Sequence, residues 1–196
     1  MKVGITGGIG SGKTTISRIF HVLGIPIFYA DEAAKRIMQD DKDLVAAIKA
    51  NFGNEAYDKH GLINRPYLAA RVFANNDLLA TLNALVHPAT IRSAEEWSAK
   101  QSALYSLKEA ALLFESNSYK LNDLNILIIS PMDLRIKRII QRDGISEKAV
   151  KARINRQWDD NEKLKLADFV IYNDEKRAVI PQVLAIHHKI ISKTAP

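Results

Sequence analysis

The chain has 196 residues, 47% of them hydrophobic, enough for one core domain carrying insertions and too few for two large domains. It has no cysteine, which excludes disulfides, thiol catalysis and thiolate metal sites, and no apolar run near the ~20 residues of a membrane span. The net charge of +6 and pI near 9.4 would suit nucleic acid, but the charge is local: eight lysines and arginines from Arg135 to Arg156 face only Asp143 and Glu147.

That excess equals the excess of the whole chain, and it reads as a clamp on anionic substrates or as a solvated basic face. The expectation is a soluble, cytoplasmic protein, monomer favoured, with no nucleic-acid or membrane partner. The first residues are taken up by a strand and a loop rather than by a cleavable leader.

In chain order, Lys2–Thr6 reads as a short buried strand. Gly7-Gly8-Ile9-Gly10-Ser11-Gly12-Lys13-Thr14 follows, a complete G-x-x-x-x-G-K-[ST] phosphate loop. Ile16, Ile19, Phe20 and Leu23 then have helical spacing across Thr14–Leu23. Strand, loop and helix stand in the order that makes such a loop hold a nucleoside triphosphate. Its glycines let backbone N–H groups converge on phosphates, and the helix start adds partial positive charge. Gly10, Ser11, Gly12, Lys13, Thr14 and Thr15 are assigned to the triphosphate, with Lys13 reaching its β- and γ-phosphates and the Thr14 hydroxyl a ligand for Mg²⁺.

Gly24-Ile-Pro26 turns the chain into a second strand, Ile27–Tyr29, and Asp31 is expected as the N-cap of a helix over Glu32–Gln39. Helical patterns at about 42–51, 65–75 and 78–101, broken by the polar stretch Gly53–Asn64, read as a helical insertion. Apolar runs at Leu107–Leu113 and Leu124–Ile129 suit parallel strands covered on both faces. A helix over Asp133–Arg142, the turn Asp143-Gly144 and a helix capped by Ser146 carry the basic cluster. Ala167–Tyr172 is the last strand and Arg177–Lys193 the closing helix. The expected architecture is α/β: a phosphate-loop core with a five-stranded parallel sheet (1–30, 105–134 and 158–196), a mainly helical insertion (31–104) and a basic helical lid (135–157).

Open α/β sheets bind ligands at the carboxyl ends of their strands, so Asp31 and the phosphate loop are expected in one cleft. A carboxylate there has two chemical uses, taking the proton of a hydroxyl nucleophile or holding Mg²⁺ through water, besides the structural use of capping a helix. Arg135, Arg138 and Arg142 fall within about 60° of one another around a helix and could fold over phosphates as a water-excluding lid. His87-Pro88 reads as a local device beside a helix-interrupting proline. His187 and His188 read as solvated surface, and Asp58-Lys-His-Gly61 as a chance match to a GTPase switch motif.

Together these residues resemble the dephospho-coenzyme A kinase family along essentially the whole chain: Thr6–Lys13, Asp31, Arg65 with Leu68 and Phe73, Val86-His87-Pro88, Leu112-Leu-Phe-Glu115, Arg138 to Arg142-Asp143 with Ser146, Arg153 and Gln157, and Ala167-Asp168 to Asn173. The resemblance implies transfer of the ATP γ-phosphate to the ribose 3′-hydroxyl of dephospho-coenzyme A. It implies Asp31 as general base and Arg65, His87, Glu115 and Arg138 on the acceptor side. Arg142 is implied on the phosphates, Asn173 near the adenine, and the helical insertion as the coenzyme-binding part. The chain departs from the family pattern at Asn64, where an acidic residue often precedes the arginine, and at Ala111, in place of a proline.

Overall fold

The structure, a computed structural model, describes residues 1–194. The chain divides into two compact units, one formed by Met1–Tyr29 with the chain from Ser98 onward, the other by Ala30–Trp97.

The first unit is built on five parallel strands in the order β2-β3-β1-β4-β5: β1 (Lys2–Gly7), β2 (Ile27–Tyr29), β3 (Ser106–Glu109), β4 (Leu124–Ile129) and β5 (Phe169–Tyr172). The apolar runs are nearly continuous because both faces are covered; Val3, Ile5, Leu107, Ile126 and Ile128 are wholly buried. One face packs against α1 (Lys13–Val22) through Ile16 and Phe20, with α9 (Val179–Thr194) adding Val183, Ile186 and Ile190 to the same core. β1 is central, with β3 and β2 on one side and β4 and β5 on the other. That reversal of strand order is where an open α/β sheet leaves a crevice, and the phosphate loop starts there.

The third strand is shorter than the apolar run that predicts it. It ends at Glu109, and residues 111–117 turn instead, although Leu113 and Phe114 are wholly buried. Burial, not strand geometry, makes that stretch apolar. After β4 come α6 (Met132–Asp143), α7 (Glu147–Ile154) and α8 (Asp160–Leu164). Gly144 closes α6 with φ +65, and the Ser146 hydroxyl accepts from Ala149 N to start α7. Ile139, Val150 and Ile154 form a small core of their own, against which Ile9 of the phosphate loop packs.

The second unit contains α2 (Ala30–Asp40), α3 (Lys42–Phe52), α4 (Arg65–Ala74) and most of α5 (Asn76–Ala99), around Ile48, Phe52, Ala56 and Leu68. Asp41 caps α3 and Asn64 caps α4, each accepting from a backbone N–H three residues on. Asn64 thus performs the capping that its departure from the family pattern left open. Two expectations are corrected here. Asp31 lies within the first turn of α2 rather than at its cap, because the helix already begins at Ala30. Pro88 does not interrupt its helix: α5 runs through it, forgoing the bond its missing N–H would have made.

Candidate active site

The phosphate loop closes on itself. Ser11 N–H donates to Gly8 C=O at 3.0 Å, with Gly10 between them at φ +80, and Lys13 Nζ donates to Gly7 C=O at 2.9 Å and Gly8 C=O at 3.4 Å. The ammonium is thus held at the loop, within reach of any anion the loop takes. The Ser11 hydroxyl is buried and has no hydrogen-bond partner among the described residues. From the end of β5, Asn173 Nδ2 donates to Ser11 C=O at 2.8 Å, so this residue braces the loop from the side. Thr14 Oγ1 donates to Glu109 Oε1 at 3.1 Å. Glu109, nearly buried at the carboxyl end of β3, is a site residue that the motif reading missed. Its only sequence signal is a carboxylate that, with Lys108, breaks the apolar run Leu107–Leu113. Two hard oxygen ligands, one from the first turn of α1 and one from the end of β3, suit a small divalent cation.

The predicted arginine stripe divides by depth. Arg138 Nη1 donates to Ser130 Oγ at 3.0 Å and reaches Gly10 C=O at 3.5 Å, while Nη2 pairs with Glu175 at 3.0 Å. Arg142 holds Asp143 through two donors at 2.7 and 3.1 Å, and Arg153 holds the same carboxylate at 3.0 Å. The hydrogen bond from Arg142, with help from Arg153, keeps the Asp143 carboxyl below the usual carboxylate range. Arg135 is different: it is buried, its Nε donates to Ile9 C=O at 3.0 Å, and it faces Asp160 at 3.5 Å. It is a strut behind the loop, not an arm in front of it.

The sequence profile of the family described as dephospho-CoA kinase matches residues 1–178. The chain belongs to the dephospho-CoA kinase family. A dephospho-CoA kinase of Bacteroides fragilis is 33% identical over 187 residues, 95% of this chain and 91% of that one. The solved dephospho-CoA kinase from Campylobacter jejuni superposes with a TM-score of 0.68 at 32% identity, covering 98% of each chain. A solved Thermus thermophilus structure reaches a TM-score of 0.84 at 28% identity over 100% of this chain and 98% of that one.

A dephospho-CoA kinase takes its phosphoryl group from ATP, and the loop, Lys13, Thr14 and Thr15 all sit in the first unit, as do Asn173, Arg138 and Arg142. Three residues that the family resemblance places on the acceptor side belong to the second unit. Asp31 and Arg65 are exposed, at the starts of α2 and α4, and His87 is half-buried on α5. Burial pushes the His87 pKa below its ordinary value, favouring the neutral imidazole. Glu115 belongs to the first unit: its Oε1 accepts from Trp158 N–H at 3.1 Å and lies 3.0 Å from Nζ of the wholly buried Lys163. The contact with Lys163 is an ion pair rather than a hydrogen bond, and the Glu115 Oε2 atom is buried without a hydrogen-bond partner among the described residues.

Proposed function

We propose that this dephospho-CoA kinase transfers the γ-phosphoryl group of ATP to the ribose 3′-hydroxyl of dephospho-coenzyme A, with Asp31 as general base. The bond from the γ-phosphorus to the β–γ bridging oxygen breaks, a bond from phosphorus to the 3′-oxygen forms, and ADP leaves. The hydroxyl proton passes to the Asp31 carboxylate and then to water. The observation that carries this reading is the family match along residues 1–178, joined to a phosphate loop at the sheet's switch point.

Around that step, the amides of Gly10 to Thr15 and the Lys13 ammonium hold the phosphates, and Arg142 answers the charge that spreads over the transferring group. The Thr14 hydroxyl and Glu109 would hold Mg²⁺, which when bound neutralises charge between the β- and γ-phosphates. Arg65, His87, Glu115 and Arg138 serve the acceptor, and Asn173 the adenine side of ATP. Residues 31–104 form the coenzyme-binding part. In the lid, 135–157, Arg142 and Arg153 rest on Asp143 until phosphate competes for them. The enzyme works as a cytoplasmic monomer without nucleic acid. Among the described residues no helix is long and apolar enough to cross a membrane, and much of the basic cluster is engaged in internal pairs.

The test is mass-spectrometric product analysis with ATP, Mg²⁺ and dephospho-coenzyme A. Gain of one phosphate at the 3′-position supports the reading; phosphorylation of nucleoside monophosphates or shikimate with dephospho-coenzyme A inert overturns it. For the base, Asp31→Asn is expected to lower kcat by about 10²–10⁴ with smaller changes in KM. A near-normal kcat with a lowered melting point would instead make Asp31 part of the start of α2.

A further inference from the structure

Ile9 lies within the phosphate loop, and the structure holds it by its side chain and by both of its backbone polar groups. Its side chain packs into the small core of α6 and α7 with Ile139, Val150 and Ile154. Its N–H donates to Gln157 Oε1 at 2.7 Å, and Gln157 is itself tied through Nε2 to Ala111 C=O at 3.1 Å. Its C=O accepts from the buried Arg135 at 3.0 Å. Gln157 and Arg135 stand at the two ends of the basic segment.

The turn they hold decides where the loop's amides point. Gly8 to Ser11 is a four-residue turn closed by the Ser11 N–H to Gly8 C=O bond, with φ +80 at Gly10 and no positive φ at Ile9, the signature of type II. Types I and II differ by a flip of the central peptide, here the one joining Ile9 C=O to Gly10 N–H. Glycine accepts either state, so Gly10 cannot fix the choice by itself. Arg135 can: it draws the Ile9 C=O backward, and in a trans peptide the Gly10 N–H then points the opposite way. The packing behind the loop is tight enough to enforce this. A Cβ on Gly8 would fall onto the Arg135 guanidinium, and one on Gly10 would lie 2.7 Å from the Arg135 C=O and 3.0 Å from Ile139 Cδ1.

We infer that Arg135 and Gln157 are positioning residues for ATP, clamping both polar groups of Ile9 so that the phosphate loop keeps its amides turned toward the phosphates before nucleotide arrives. Two glycines of the motif are thus needed on the rear face, for Arg135 and α6, as well as on the front for phosphate. The inference rests on the nucleotide-binding part of the proposed function and not on the identity of the acceptor.

The experiment compares wild type, Arg135→Lys and Gln157→Met by calorimetric titration with ATP in the absence of acceptor, by KM for each substrate, and by melting point. Lysine keeps a cation against Asp160 but loses the Nε donor; methionine keeps the length of glutamine and introduces no charge. If the competent turn falls to about a tenth of the population, apparent ATP affinity weakens about tenfold and KM for ATP rises by the same factor. KM for dephospho-coenzyme A should stay within about twofold. Unchanged ATP affinity in folded variants overturns the inference, as does an equal rise in both KM values, which would mean general loosening. If Arg135→Lys does not fold, Gln157→Met decides alone. Absence of transfer to dephospho-coenzyme A with ATP titration behaving as expected would defeat the acceptor assignment and leave the clamp standing.

Discussion

Arg135 and Lys163 are buried, Arg142 and Arg153 lie in water, and yet all four belong to the stretch of chain between β4 and β5. Arg135 and Lys163 are 5% and 0% exposed, and each has a partner that it cannot leave without stranding a charge, Ile9 C=O and Asp160 for one, Glu115 for the other. The side chains of Arg142 and Arg153 are 63% and 49% exposed and share a single aspartate. An exposed pair of this kind contributes little to stability and exchanges partners readily. Burial therefore commits a cation to architecture, whereas exposure leaves it available to an anionic ligand.

The change expected to strain this contrast most is Lys163→Met. It leaves Glu115 buried opposite a thioether, and loss of one member of a buried pair costs about 3–5 kcal/mol. Thermal or urea unfolding should show that loss, and because Glu115 also serves the acceptor, KM for dephospho-coenzyme A should rise in the molecules that remain folded while KM for ATP stays near wild type. Pairing the change with Glu115→Gln should recover most of the stability. An unchanged KM for dephospho-coenzyme A beside the lost stability would instead leave Glu115 to the frame alone.

Arg142→Lys tests the exposed side of the contrast. An ammonium cannot reproduce the planar, two-point contact of a guanidinium with phosphoryl oxygens, so kcat should fall by about 10–10³ while the melting point stays within about 2 °C. Near-full kcat would return Arg142 to the solvated surface. Amide exchange across 138–157 in the presence of ATP provides a second reading: slower exchange on binding is expected for a segment that closes over nucleotide.

The smallest effect concerns a half-buried group with a proton rather than a permanent charge. Tyr105 OH and His187 Nδ1 are 2.7 Å apart, and desolvation, with the neighbouring His188 adding to it, holds the His187 pKa below its ordinary value of 6.5. A histidine whose folded pKa is depressed binds fewer protons folded than unfolded, so stability is lost as pH falls through the unfolded value toward the folded one. His187→Gln should flatten the stability curve below about pH 6.5 and leave it unchanged at pH 8. An acid limb of unaltered slope would place the titrating group elsewhere, with His87 on α5, whose pKa is shifted the same way, the next to vary.

The catalytic loop was legible because its chemistry is written in consecutive residues: Gly7 to Thr14 is both the motif and the structure. The sheet was legible because parallel strands buried on both faces are apolar nearly throughout, as in Leu124–Ile129, where Asn125 is the one polar residue. The same signal overran at Leu107–Leu113, since a buried turn holding Leu113 and Phe114 is as apolar as a strand. His187 was misread as surface because its partner, Tyr105, is far away in sequence and becomes its neighbour only through the fold. Glu109 stayed hidden for the same reason: its partner, Thr14, lies on a helix that the folded sheet brings to the end of β3.

By itself, then, the sequence determined that the chain folds as an α/β phosphate-loop kinase, that the loop stands at residues 7–14, and that its positive charge gathers in one segment. The tertiary structure alone decided which cations of that segment serve the frame and which meet solvent. Helical spacing gives a side chain's direction around its own axis, and Arg135, Arg138 and Arg142 share that direction. Depth depends on what packs against the axis, and here Ile9 and the rear of the phosphate loop cover the first of the three while nothing comparable covers the last.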